Sequence, residues 1–162
     1  MSSDAAPGRR AVCLAGLAAL AGCGFTPALA PGGAADALRG RIAVTAPDTI
    51  PGFTLRARLE ERLGRSTGPL TLTVAVDQAL EAAARSRRGD TLRYTLAGVA
   101  GWTLTDPDGT VRATGQAEGF TGYAASGSTV ATQTSATDAQ GRLMTILADR
   151  IVTQLILLDL PR

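Results

Sequence analysis

The chain has no histidine and no lysine. Without histidine there can be no Ser-His-Asp triad and no Cys-His pair. Its two cysteines cannot complete the common zinc constellations, which need several Cys or His ligands. An acid pair or an arginine-based site stays open, but no spacing points to one, so no catalytic residue, metal ligand or cofactor is assigned. Sixteen basic residues, all arginine, stand against fourteen acids, for a net charge of +2. They are scattered, which argues against nucleic acid as a partner. The missing lysine, like the abundance of alanine and glycine, fits GC-rich coding. Also lacking is an uninterrupted apolar run of roughly 20 residues, the length a spanning helix needs.

What is present begins at the N-terminus. "MSSDAAPGRR" is polar and closes on Arg9 and Arg10, and "AVCLAGLAALAG" follows as an apolar stretch. Positive charge before an apolar segment of roughly 7–15 residues describes a secretory signal peptide. Leu20-Ala21-Gly22-Cys23 then matches a lipoprotein box, in which small residues admit the backbone to the signal peptidase. The expectation is a signal peptide over 1–22 and lipid attachment at Cys23, by a diacylglyceryl group on the thiol and acylation of the freed amine. One acyl chain holds only marginally, whereas two or three hold stably. Cys13 falls in the segment to be removed, so the mature chain would have no internal disulfide. The Gly/Ala/Pro-rich residues 23–37 read as a tether leading from the membrane, or as a segment packed on the domain.

Residues 38–162 are enough for one modest domain. In "LRGRIAVTA", Leu38, Ile42 and Val44 share a face, which predicts a first strand ending at Pro47. After the turn "PDTIPG", Leu55, Leu59 and Leu63 recur at helical spacing, with Gly64 placed as a C-cap. "GPLTLTVAVDQ" alternates as a second strand. "ALEAAARSRR" has helical propensity, yet Leu80, Ala82 and Ala84 continue the same face; residues 78–90 therefore read either way, with a strand running to a turn near "SRRGD" preferred. "TLRYTLAGVAGWTLTD" is a third strand, with Tyr94 and Trp102 on its core face. A "DPDG" turn leads to a fourth, with Val111, Ala113 and Ala117 on one side. Gly115 and Gly119 predict a bulge or a close backbone approach. Residues 120–134 read as a mobile loop with a short strand near Val130, in which Phe120 and Tyr123 could pack or meet a partner. A capping box at Ser135–Asp138 would open a long helix with a stripe of Leu143, Leu147, Ile151, Leu155 and Leu158, closed by Pro161. Asp138 and Arg142 are spaced to pair. The predicted fold is α/β: a two-layer sandwich, about four strands covered on one face by two helices, in the order β-α-β-β-β-α.

The segments "LAGCGFTP", "LRGRI", "GFTLRARLEERLG", "LAGVAGWTLTD" and "DAQGRLMTILADRIVTQL", in this order, resemble lipopolysaccharide-assembly lipoproteins of the LptE type, in their short proteobacterial form. The resemblance spans most of the mature chain and makes 38–162 an LptE-like domain. It implies a non-enzymatic lipoprotein, lipid-anchored on the periplasmic side of the outer membrane. Such a protein binds and plugs an LptD-type β-barrel, assists the barrel's assembly, and with it inserts lipopolysaccharide into the outer leaflet. Gly24 after the lipidated cysteine allows outer-membrane delivery, by analogy with enteric sorting. Arg85, Arg87 and Arg88, at the tip of the expected hairpin, are the best candidates for touching lipid A phosphates or the barrel, since guanidinium forks bind phosphate bidentately; the plainer reading, a solvated hairpin end kept soluble by charge, stands ahead of it. Two readings from other classes compete. One is a stand-alone lipid-binding or ABC-transport auxiliary lipoprotein with a ligand cavity. The other is a periplasmic enzyme relying on carboxylate or serine chemistry.

Overall fold

The structure, a computed structural model, describes residues 38–125 and 127–158. Its elements are β1 (Ile42–Thr45), α1 (Ile50–Leu63), β2 (Leu70–Arg85), β3 (Thr91–Thr105), β4 (Val111–Ala124) and α2 (Thr129–Leu157). They form one four-stranded sheet in the order β1-β2-β3-β4. β1 runs parallel to β2, with α1 as the crossover, and the remaining pairs are antiparallel. This is the expected α/β order, with both helices packed on one sheet face.

Strand periodicity builds the core. On β2, Leu70, Leu72 and Val74 are buried while Thr73 and Ala75 are exposed; on β3, Leu96, Ala100, Trp102 and Leu104 turn to the same side. The ambiguous stretch after Gln78 is strand: β2 continues to Arg85, in register with β3 as Leu80↔Leu96 and Ala82↔Tyr94. Extended backbone prevails over local helix propensity there because β3 offers a complete pairing partner. Leu55, Leu59 and Leu63 of α1 lie against Leu143, Leu147, Ile151 and Leu155 of α2 in one cluster with these strand residues. Met144, Ala148 and Val152 give α2 a second buried stripe.

α2 can sit close to the sheet because two strand positions beneath it have no side chain. Gly98 and Gly119 are register partners, and a Cβ on Gly98 would come within 2.9 Å of Leu143 Cδ2. Gly115 lies under the Trp102 ring, where a Cβ would stand 2.4 Å from Cζ2. The close approach expected at Gly115 and Gly119 is therefore what these glycines provide. The register slip in this pair lies elsewhere, between Leu104 and Thr105. It moves Val111 opposite Thr105 and leaves it 55% exposed, so Val111 does not share the buried side with Ala117.

Three boundaries differ from those expected. Leu38 is buried but precedes the strand, in a turn in which Arg41 N–H donates to the Leu38 carbonyl. α1 starts at Ile50, ahead of Phe53, because Thr49 accepts from Gly52 N–H as N-cap and Pro51 fits the first turn. Residues 120–134 are not a loop. β4 runs through Phe120 and Tyr123 to Ala124, and α2 begins at Thr129, capped by Ser128. The apparent capping box at Ser135–Asp138 is thus inside the helix. The small hydroxylated residues that resembled loop are satisfied helically: Thr134 donates to the Val130 carbonyl and Thr137 to that of Gln133. Asp138 and Arg142 pair as expected. Pro161 and the segments 1–22 and 23–37 lie outside the described residues.

Candidate functional site

The outer half of the β2–β3 hairpin is exposed, on β2 from Asp77 to Arg85. Its tip is a fixed turn: Ser86 N–H donates to the Asp90 carbonyl at 2.8 Å, and Gly89 N–H to the Ser86 carbonyl at 3.0 Å. Gly89 takes φ +93°, a conformation that side-chain-bearing residues rarely adopt. The Ser86 hydroxyl oxygen accepts from the Arg88 and Asp90 amides. The turn backbone is satisfied internally, so the arginine side chains are not needed to hold it.

Arg85 closes β2, and Arg87 and Arg88 lie in the turn; all three are exposed. No side-chain ion pair engages any of them among the described residues. Arg93, which the sequence reading left out, joins them through its register with Ala84. Below this cationic end, Tyr94 and Tyr123 stack with ring centroids 5.4 Å apart. Leu80 and Leu92 are about half exposed, at 53% and 43%. Phe120 stands 72% exposed on the opposite sheet face. Guanidiniums beyond a short apolar and aromatic band match an amphiphile with phosphorylated headgroup and acyl chains. The signal that could have found Arg93, Tyr94 and Tyr123 together is strand register, which only the complete sheet supplies.

The helical layer carries ion pairs of its own. Arg58 on α1 donates through Nε and Nη2 to both carboxylate oxygens of Asp149 on α2, each at 3.1 Å. Asp149, and then Glu61, push the Arg58 guanidinium above its ordinary pKa. Arg56, aided by Arg65, holds the Glu60 carboxyl below its usual range against the opposing effect of burial. These ion pairs join the helices or lie along α1, away from the hairpin tip. Among the described residues no group of three Cys, Asp or Glu could hold a metal ion, and no helix is long and apolar enough to cross a membrane. Cys23 lies outside the described residues.

No curated protein sequence matches the chain. Among solved structures it is similar to a lipoprotein of Caulobacter crescentus CB15, with 23% identity and a TM-score of 0.57 over 71% of this chain and 87% of that one. It is also similar to rare lipoprotein B of Shewanella oneidensis, at 13% identity and TM-score 0.53 over 71% and 91% of the two chains. A lipoprotein B from Nitrosomonas europaea gives 11% identity and TM-score 0.55 over 72% and 82%. At these identities the likeness establishes the fold. Residues 39–155, from the turn before β1 to the last turns of α2, match the family described as "LptE: Lipopolysaccharide-assembly", and the chain belongs to that family.

Proposed function

We propose that the chain is anchored by acyl chains on Cys23 to the periplasmic leaflet of the outer membrane. There it binds an LptD-type β-barrel, assists its assembly and plugs it, and the pair inserts lipopolysaccharide into the outer leaflet. The single observation that carries this reading is the family match over the whole α/β domain. The hairpin supports it. Arg85, Arg87 and Arg88 present cationic forks that can meet lipid A phosphates or acidic positions of the barrel, and apolar surface lies directly behind them. The protein contributes contacts and shape, not bond chemistry, in keeping with a sequence without histidine.

The test is purification of the native chain from detergent-extracted outer membranes. A large β-barrel should be recovered in equal amount, and the intact mass of the mature chain should begin at an acylated Cys23. Recovery of the chain without a barrel would overturn the reading.

A further inference from the structure

The fold closes one long edge of its sheet and leaves the other open. Ala125 N–H donates to the Leu92 carbonyl, and the two-residue period then makes odd residues of β4 bond β3 while even residues turn their main-chain groups outward. Three of those outward carbonyls are occupied by α2 side chains. Arg142 donates to Gly122, Arg150 to Glu118 and Gln154 to Gln116. An incoming strand would find these three acceptors of that edge taken.

β2 has the opposite character. Leu70 N–H donates to the Arg41 carbonyl at 3.1 Å, so even residues of β2 face the β1 side. β1 ends at Thr45, opposite Thr73, and Pro47 follows as the chain turns toward α1. Beyond Val74, the outward N–H and C=O groups of Val76, Gln78 and Leu80 have no strand beside them among the described residues. No bulge interrupts β2 until Ala82. An uninterrupted open edge of this kind is a template for strand addition.

Charge selects the occupant. Asp77 and Glu81 lie on the helix-free face beside this edge, and neither has an ion-pair partner among the described residues. A second copy paired antiparallel about Ala79 would set Asp77 of each chain opposite Glu81 of the other, and like charges directly opposite one another are destabilising. A strand of another protein with basic side chains on that face, and apolar ones toward Val76 and Leu80, meets no such repulsion. We propose that the open edge of β2, over residues 75–82, takes up one extended segment of the barrel partner by main-chain pairing. This rests on the reading above that a barrel is the partner.

The test uses the full lipidated chain, alone and in the complex purified from membranes. Hydrogen exchange of the free chain should protect the odd amides of β2 and leave Val76, Gln78 and Leu80 fast. In the complex those even amides should become protected. Proline at an even position deletes only an outward N–H, so Leu80→Pro should fold. It should lower barrel recovery roughly fivefold or more relative to Leu80→Ala, the loss expected for one main-chain hydrogen bond. If the barrel is recovered while the even amides stay fast, or Leu80→Pro matches Leu80→Ala, the strand pairing is wrong. Protection that arises on concentrating the chain alone would make the occupant a second copy and also overturn it. If wild-type chain recovers no barrel, the functional reading falls first, which is a different result from a barrel recovered with an unprotected edge.

Discussion

Gly115 shows how one missing side chain positions a larger one. The Trp102 ring occupies the space a Cβ would take, and its indole Nε1 donates to Gln154 Oε1 at 2.7 Å. Gln154 in turn donates to the Gln116 carbonyl at 2.9 Å, so the tryptophan, α2 and the β4 edge share one chain of contacts. Gly115→Ala should displace the ring and destabilise the domain by about 1–3 kcal/mol, as overpacking does. Thermal unfolding should fall by about 5 °C, and the fluorescence of the only tryptophan should shift with it. Glu60 gives a second residue-scale expectation. Its folded pKa lies below the ordinary value of 4.5, so its contribution is complete above that value and is lost as pH falls through the folded one. Stability measured by denaturant titration should therefore decline on acidification below about pH 4.5, and Glu60→Gln should flatten that decline while leaving the Arg58–Asp149 pair intact.

At the scale of elements, the role proposed for the arginine tip can be tested apart from stability. The turn is held by Ser86, Gly89 and Asp90, not by guanidiniums. Replacing Arg85, Arg87 and Arg88 together by glutamine should leave the unfolding temperature within about 2 °C, as exposed substitutions usually do. The same variant should bind lipopolysaccharide aggregates more weakly, with less dependence on salt, because charged contacts are screened. Equal binding by the triple variant and the wild type would remove these residues from the interface. Strands and helices with a regular apolar period were legible in the sequence. Leu55, Leu59 and Leu63 announce α1, and Leu96, Ala100, Trp102 and Leu104 announce β3. Residues 120–134 were not, for a physical reason. The first turns of α2 bury little, so no apolar stripe marks them, and their threonines bond back to helix carbonyls that only the folded backbone reveals. The same limit hid Val111, whose side is decided by a one-residue slip opposite Thr105.

For the whole molecule, one buried cluster holds both helices to one face and leaves the other face, the hairpin tip and the β2 edge available for contact. That distribution suits a protein that works through its surfaces. Arg85, Arg87 and Arg88 were recognisable in sequence as a cluster, but their company with Arg93 and the Tyr94–Tyr123 stack depends on pairing between distant strands. The most direct measurement of the central claim is the amount of lipopolysaccharide at the cell surface after the chain is depleted. It should fall in step with depletion, with lipopolysaccharide retained short of the outer leaflet, and a wild-type copy should restore it. Surface lipopolysaccharide that stays at its normal level in cells fully depleted of the chain would contradict the account.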